Sequence, residues 1–227
     1  LDRGVEQVGL LVDGCHHLAD PVLAEVTDVP VTQPIAAGAV VEVHGGPYSS
    51  SSFRWTISGS STSPVFIRGV GQPVINGGGS LGDVTLSGSY GVVEGFVFDR
   101  MQVRLGSSYM ALRSSEVKNF SPSSNSAAVT GSGTNLVLYN NHIHHNGSAT
   151  GSAEVDVHAI KFGTGSSSIW VVDNLIHENG GDEIQAGGTR AGVSGRGQIL
   201  AVVEPDEGDF ARRAHRAHST ALDGGFA

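Results

Sequence analysis

Hydrophobic and polar residues alternate in short runs along this chain, and one such run occurs twice. Residues 136–147 read LVLYNNHIHHNG, and residues 169–180 read IWVVDNLIHENG, with Asn141 and Asn174 equivalent at an offset of 33. A repeat with a period of about 20–50 residues is typical of stacked supersecondary units, each packed on the next. Because the unit contains short β-branched strands and no amphipathic helix, the pattern predicts a parallel β-solenoid.

Weaker copies of the unit lie upstream. LRSSEV (112–117) aligns Ser115 with Asn141, and VVEGFVF (92–98) aligns Gly95 with Ser115 at an offset of 20. Small residues and residues that bond to their own backbone suit tight turns, and stacked asparagines can bond from coil to coil. We therefore predict a corner column, meaning equivalent positions on successive coils, formed by Gly95, Ser115, Asn141 and Asn174.

A second set of strands ends in glycine and alternates apolar with polar positions: MQVRLG (101–106), HAIKFG (158–163) and DEIQAG (182–187). This is the period of two that a half-buried strand shows. Aligning the closing glycines places Arg104, Lys161 and Gln185 in one outward column. The next outward column would contain Gln102, Ala159 and Glu183. Many strands without helices exclude a doubly wound α/β fold and leave an antiparallel sandwich as the alternative.

Composition supports a solenoid. The chain contains 33 glycines, 15% charged residues and 6% aromatic residues, which suits tight turns and a narrow core. The length fits one all-β domain of about six or seven coils. The net charge of −9 argues against nucleic acid and anionic membranes as partners. The chain contains no run of 18 apolar residues, so the sequence predicts no transmembrane helix. The single cysteine, Cys15, excludes an internal disulfide.

We predict three segments along the chain. Residues 40–190 form the β-helix domain, and residues 1–39 form an N-terminal cap or irregular segment. Residues 191–227 form a C-terminal cap or a loose tail, with truncation or loss of register relative to the coils as a third interpretation. Caps are expected because an open coil end exposes apolar residues and unpaired strand edges.

Residues 38–188 resemble the right-handed parallel β-helix proteins of the pectate-lyase-like superfamily. The resemblance depends on VVEVHGGPY (40–48), PVFIRGVGQPVINGG (64–78), VTLSGSYGVVEGFVF (84–98), NNHIHHNG (140–147) and DNLIHENGGDEIQAG (173–187). It implies a secreted or cell-surface carbohydrate-active protein with a glycan-facing groove along one sheet. The oligomeric state and the glycan are not specified, because fold alone does not determine function.

The resemblance also implies a reaction, β-elimination on an acidic glycan by a lysine or arginine base, often with Ca²⁺. Lys161 is then the base, since Lys118 is the only other lysine, and Arg104 and His158 complete the catalytic set. The expected metal ligands, which would hold Ca²⁺ through oxygen atoms, are Glu154, Asp156 and Asp182. The expected substrate-binding residues are Gln102, Gln185, Glu183, His144, His177 and Lys118.

Other functions remain open at this stage. Glycoside hydrolysis needs two carboxylates, for which Asp156, Asp182 and Glu183 are the candidates on this face. The doubled aspartates of β-helix galacturonan hydrolases are absent, which counts against that branch. A non-catalytic β-helix that binds glycan or serves as a surface scaffold is the other alternative.

The histidines suggest a separate chemistry. Five of the ten lie between residues 142 and 177. Stacked imidazoles at His142, His144 or His145 could bind a transition metal, because histidine is its commonest ligand. Stacking of like residues is equally a normal property of a solenoid.

Overall fold

The computed structural model describes residues 9–13, 24–25, 34–147, 156–186, 189–191 and 201–205. Every regular element in these ranges is a β-strand. The described residues therefore include no helix long and apolar enough to cross a membrane. Most of the predicted N-terminal segment and of the predicted C-terminal segment lies outside the described residues, as does the loop that carries Glu154.

The strands follow one another in groups of three. The first strands are β1 (Gly9–Asp13), β2 (Ala24–Glu25) and β3 (Ile35–Ala36). Six coils follow: β4 (Val40–His44), β5 (Tyr48–Ser49), β6 (Ser52–Ser58); β7 (Val65–Val70), β8 (Val74–Asn76), β9 (Gly82–Ser89); β10 (Gly91–Glu94), β11 (Val97–Asp99), β12 (Met101–Leu105); β13 (Met110–Arg113), β14 (Glu116–Lys118), β15 (Ser126–Gly131); β16 (Thr134–Tyr139), β17 (His142–His144), β18 (Val157–Phe162); β19 (Ser167–Val172), β20 (Leu175–His177), β21 (Ile184–Ala186). The last strands are β22 (Thr189–Ala191) and β23 (Ala201–Pro205).

Each strand of a coil pairs in parallel with the equivalent strand of the next coil, which produces three sheets. Sheet I contains β4, β7, β10, β13, β16 and β19; sheet II contains β5, β8, β11, β14, β17 and β20; sheet III contains β3, β6, β9, β12, β15, β18 and β21. Antiparallel pairing between these named strands occurs only at the ends of sheet I, where β1 and then β2 extend the sheet beyond β4, and β23 and then β22 extend it beyond β19. The fold is the predicted right-handed parallel β-helix, and the sandwich alternative is wrong.

The predicted corner column is correct over its last three positions. Pairing of Glu116 with His142, and of His142 with Leu175, places the preceding residues Ser115, Asn141 and Asn174 on adjacent coils. The offsets of 26 and 33 read from the sequence are therefore confirmed.

The first position of that column was predicted wrongly by one residue. Val97 pairs with Glu116, so Phe96 and not Gly95 precedes Ser115 in the corner column. The backbone N–H of Phe96 donates to Ser115 Oγ at 3.3 Å. Gly95 occupies the turn position just before the corner with φ of 78°, a conformation that glycine adopts without a steric penalty.

Two ladders of asparagine side chains connect the coils. In the first, Asn141 and Asn174 are each 2% exposed, and Asn174 Oδ1 accepts from both N and Nδ2 of Asn141 at 2.9 Å. In the second, Asn179 Oδ1 accepts from Asn146 Nδ2 at 2.9 Å. The first ladder lies before β17 and β20 and the second lies after them. Both ends of these two strands are consequently fixed by buried or half-buried hydrogen bonds.

The core fills the space between the sheets with columns of apolar side chains from all three sheets. Because side chains alternate along a strand, each strand contributes inward residues to a column that continues from coil to coil. These columns include Ile67, Val93, Leu112, Leu138 and Val171 in sheet I, Ile75, Phe98, Val117, Ile143 and Ile176 in sheet II, and Val84, Val103, Val129, Ile160 and Ile184 in sheet III, all of them buried. The polar residues that alternate with these apolar residues along each strand therefore face outward.

Charged side chains form a row on the outer face of sheet I. Glu94 lies between Arg68, whose Nε is 2.8 Å from Glu94 Oε1, and Arg113, whose Nε donates to Glu94 Oε2. Burial acts to raise the pKa of Glu94, but the hydrogen bonds from Arg113 and Arg68 outweigh it, so the pKa is held below its ordinary value of 4.5. Glu94 is thus ionised in the folded protein.

We expect Glu94→Gln to lower the free energy of unfolding at neutral pH by about 1–3 kcal/mol, since hydrogen bonds to a charged group are lost. The depressed pKa means that this stabilisation is present above the unfolded value of about 4.3 and disappears as the pH falls through the folded value. When the free energy of unfolding is measured with urea from pH 7 to pH 3, the values for the parent and for Glu94→Gln should therefore converge in acid. A constant difference across that range would contradict the assignment, and Glu42→Gln at the more exposed end of the row is the control.

Candidate functional site

The outer face of sheet III carries one long column of polar residues. The strand register aligns Arg54, Thr85, Arg104, Thr130, Lys161 and Gln185. We call the three exposed cations of this column, Arg54, Arg104 and Lys161, the basic stripe. They occupy alternate strands, so with strands about 4.8 Å apart a positive charge recurs roughly every 10 Å.

The structure corrects the predicted proximity of Arg104 and Lys161. Strand β15 lies between their strands, and Thr130 separates the two side chains in the column. Arg104 is closer to the preceding coil, where its Nε is 4.0 Å from Asp83 Oδ2. Within the described part of the chain, no carboxylate forms an ion pair with Lys161 or Arg54.

The neighbouring column, predicted to face outward, is covered over part of its length. Gln102 is only 5% exposed, and its Nε2 donates to the carbonyl of Ala127 at 2.6 Å and to Ser126 Oγ at 3.1 Å. Ala159 is completely buried, whereas Glu183 is half-buried. The expectation that Gln102 faces solvent is therefore wrong, because Ser126 and Ala127 at the start of β15 accept hydrogen bonds from its side-chain amide.

The column on the other side of the basic stripe contains only small residues. Thr56 pairs with Ser87 at the start of this column. Its next three positions each come one residue after a paired residue, namely Leu105, Gly131 and Phe162, and they also carry small side chains. These are Gly106, Ser132 and Gly163. The stripe is consequently bordered by a flat, hydroxyl-bearing strip of sheet.

Three of the predicted site residues meet at the C-terminal end of this face. His158 is 3% exposed, and its Nδ1 accepts the backbone N–H of Asp182 at 3.1 Å. The same Nδ1 is 3.4 Å from Asp156 Oδ1 and 3.7 Å from Asp182 Oδ2. Because Nδ1 is an acceptor, the ring hydrogen of His158 lies on Nε2. His158 therefore holds the two aspartate segments together from a buried position.

The two aspartates bring carboxylate oxygens close together and could hold part of a cation's oxygen shell. Asp156 and Asp182 are about half exposed at 47% and 42%, and both bring a carboxylate oxygen to the same imidazole nitrogen. Oxygen ligands are those that Ca²⁺ prefers, although it takes 6–8 of them. The described residues supply two of these groups, with Glu154 outside the described residues.

A second group of predicted site residues lies on the outer face of sheet II. Lys118, His144 and His177 are aligned on consecutive coils, as predicted. His142 Nε2 is 2.8 Å from His177 Nε2, and the ring of His142 stacks on that of His144 with centroids 3.9 Å apart. Burial, followed by the charges of His144 and His177, lowers the pKa of His142. We call His142, His144, His145 and His177 the histidine cluster.

Two carboxylates flank the histidine cluster. Glu116 Oε1 is 2.9 Å from both His144 Nε2 and Lys118 Nζ. Burial acts to raise the pKa of Glu116, but the hydrogen bonds from Lys118 and His144 outweigh it and lower the pKa. Glu178 Oε2 is 2.9 Å from His177 Nδ1 and 3.2 Å from His145 Nε2. Every imidazole of the cluster except His142 thus contacts a carboxylate.

Sequence reasoning missed several of these residues. Arg54 belongs to the basic stripe, and the alternation in SFRWTIS, with Trp55 and Ile57 buried, could have placed it outward. The contacts of Glu116 and Glu178 with the imidazoles depend on side-chain conformation, which the sequence pattern does not predict.

Comparison with known proteins adds little beyond the fold. No protein-family model and no curated protein sequence matches the chain. Among solved structures, an arginine-to-alanine mutant of the PL6 family alginate lyase AlyGC is similar with a TM-score of 0.36 and 12% identity. The match covers 73% of this chain and 40% of that chain, so this chain spans less than half of that protein. The assignment of a parallel β-helix stands on the strand pairing described above.

Proposed function

We propose that this protein binds an acidic polysaccharide along sheet III and cleaves it by β-elimination. The observation that carries the proposal is the basic stripe. A chain with a net charge of −9 places three exposed cations in one column of a flat sheet, each on an alternate strand. Complementary charge favours and orients a polyanion on such a surface, and a linear glycan can follow the column from coil to coil.

Lys161 is the proposed base of the elimination. It is exposed, it is the only lysine on this face, and no carboxylate of the described residues neutralises it. In the reaction the neutral amine form of Lys161 removes the proton on C5 of a uronate, a double bond forms between C4 and C5, and the oxygen on C4 leaves with its electron pair. Lys161 then holds the proton, and the leaving oxygen takes one from water.

The carboxylate of the same sugar needs a positive partner, because the carbanion-like charge spreads onto it. Arg104 lies two strands from Lys161 and can bind a carboxylate further along the glycan through two parallel N–H donors. Ca²⁺ held by Asp156 and Asp182, with Glu154, would supply further positive charge at this end of the stripe. His158 keeps the aspartates in place from its buried position and serves as a positioning residue.

Other predicted substrate contacts separate into two groups. Gln185 follows Lys161 in the column, and Glu183 directly precedes β21, the strand that carries Gln185. Both residues therefore belong to the proposed glycan surface. His144, His177 and Lys118 lie on sheet II and belong to a different face of the coil. Because polysaccharide substrates are found outside cells, a secreted or cell-surface location accompanies the proposal.

The basic stripe predicts a graded loss of binding. We expect Arg54→Gln and Arg104→Gln each to weaken affinity for the bound glycan about tenfold, equivalent to about 1.4 kcal/mol, because each removes one charge–charge contact. Arg68→Gln on sheet I is the matched control and should bind like the unsubstituted protein. Equal affinity of all three variants, measured by isothermal titration at low salt, would contradict the placement of the glycan.

A screen of acidic and neutral polysaccharides tests the function. The protein is incubated with each glycan after treatment with EDTA, with and without added Ca²⁺, and unsaturated product is followed by its ultraviolet absorbance. The proposal expects absorbance with at least one acidic glycan and with no neutral glycan, and restoration by Ca²⁺ supports the metal assignment. New reducing ends without unsaturation would instead indicate hydrolysis. Binding without turnover would indicate a scaffold, and both results would refute the elimination.

A further inference from the structure

We propose that His142, His144 and His177 form a binding site for a divalent transition-metal ion such as Zn²⁺ on sheet II, separate from the glycan surface. One nitrogen from each ring lies within 4.8 Å of the nitrogens offered by the other two. His145, Glu178 and His177 form a second set with the same property, so the two sets share His177. Neutral imidazole is a common ligand for zinc, copper and nickel.

The hydrogen atoms of the cluster explain why a cation fits there. A carboxylate can only accept, so the nitrogens that contact Glu116 and Glu178 must carry hydrogen. These nitrogens are His144 Nε2, His177 Nδ1 and His145 Nε2. In neutral rings, the opposite nitrogens of these three histidines are therefore lone-pair acceptors.

The acceptor nitrogens point at one another. His144 Nδ1 and His145 Nδ1 are 2.6 Å apart, which brings two lone pairs together unless a proton or a metal ion lies between them. His177 Nε2 lies 2.8 Å from Nε2 of His142, a ring that contacts no carboxylate, so these two nitrogens can share either the hydrogen of His142 or a metal ion. A metal ion that binds these nitrogens removes the lone-pair repulsion and uses the atoms that the carboxylates leave available.

The flanking groups match the second shell of a metal site. A histidine ligand usually donates its other N–H to a carboxylate, which fixes the ring orientation. Glu116 has this relation to His144, and Glu178 has it to His177. The two asparagine ladders fix β17 and β20 at both ends, so the backbone under the rings is already ordered.

The His142–His177 pair needs only a small separation to admit the ion. Two nitrogen ligands about 2.05 Å from a tetrahedral zinc lie roughly 3.4 Å apart. The Nε2 atoms of His142 and His177 are at 2.8 Å and must therefore separate slightly. Rotation of the His177 side chain, which is 38% exposed, can provide this separation.

Zinc titration of the whole chain tests the site. We expect the parent to bind one equivalent of Zn²⁺ tightly. Glu116→Gln, which removes a carboxylate partner of a ligand, should weaken Zn²⁺ binding roughly 10–100-fold. His177→Ala, which removes a ligand, should weaken it more. His44→Ala is the matched control, because His44 is an exposed histidine on sheet I beside Glu42. It should bind like the parent. Histidines outside the described residues are present in every variant, so the comparison cancels them.

The absorption spectrum of bound Co²⁺ reports the ligands and the geometry of the metal ion directly, so it separates a loss of the site from a loss of stability. The parent and His44→Ala should show the intense visible bands of a tetrahedral nitrogen-ligated Co²⁺, and circular dichroism should confirm that His177→Ala keeps its strands. The proposal is overturned if the parent binds no Zn²⁺, if His177→Ala and the parent bind it equally, or if Co²⁺ gives only the weak octahedral spectrum.

Discussion

Asn141→Ala should lower the free energy of unfolding by about 3–4 kcal/mol, one of the two largest effects that the structure predicts. The substitution removes the side-chain partners of the Leu112 carbonyl and of the Ser115 backbone N–H, and it removes one of the two hydrogen bonds that Asn174 Oδ1 accepts from residue 141. Each unsatisfied buried group costs about 1–3 kcal/mol. Such a loss is a large fraction of the roughly 5–15 kcal/mol that stabilises a typical domain.

Urea unfolding followed by circular dichroism measures this effect. The control is Asn140→Gly, one residue earlier in the chain. Asn140 is exposed with φ of 54°, and its side chain donates only to Ser114 Oγ, so glycine should be tolerated within about 1 kcal/mol. If Asn141→Ala cost no more than Asn140→Gly, the first ladder would not be a principal connection between the coils.

Lys161→Ala should reduce release of unsaturated product by about 10²–10⁴-fold, the range that a general base contributes. The substitution should change stability by less than about 0.5 kcal/mol, because the side chain is exposed and has no ion-pair partner among the described residues. Affinity for the glycan should fall only modestly, since Arg54 and Arg104 remain.

The measurement compares the initial rate and the binding constant on the glycan that the screen identifies. Lys161→Arg keeps the charge and separates binding from proton transfer, because a guanidinium gives up its proton much less readily than an ammonium group. It should restore affinity and leave the rate low. Full activity of Lys161→Ala would exclude it as the base while leaving the basic stripe as a binding surface.

The corner column shows where sequence reasoning succeeds and where it fails. Asn141 and Asn174 were aligned correctly, because a buried asparagine that bonds from coil to coil must recur at the same position. Upstream, Phe96 replaces the polar corner residue and contributes only its backbone N–H. Nothing in the side-chain pattern marks that position, whereas Gly95 is the residue type usual in a turn.

The basic stripe shows a related failure. The strands ending before Gly106 and Gly163 were aligned correctly by those glycines, but β15 is followed by Ser132 and was not recognised as the strand between them. Arg104 and Lys161 were consequently placed one strand too close. The column itself was predictable, because alternation alone decides which residues face outward.

The histidine cluster was only half predictable. The columns of the repeat align His144 with His177, and alternation places His142 and His144 on the same side of β17. The contact between His142 and His177 crosses diagonally between strands and depends on side-chain rotation. The hydrogen bonds to Glu116 and Glu178, which orient the rings, depend on the same rotations.

Cysteine cross-linking tests the central claim that residues 33 apart occupy adjacent coils. In a chain carrying Cys15→Ser, the pair Tyr139→Cys and Val172→Cys joins two positions that pair directly on the outer face of sheet I. Neighbouring strands are about 4.8 Å apart, within the roughly 4.4–6.8 Å between Cα atoms that a disulfide spans. The pair Tyr139→Cys and Trp170→Cys places the second cysteine two residues earlier on the same face, about 8 Å away on the diagonal, beyond that range. We predict nearly complete disulfide formation in the folded protein for the first pair and little for the second. Efficient cross-linking of the second pair with failure of the first would contradict the register on which the coils, the basic stripe and the histidine cluster all depend.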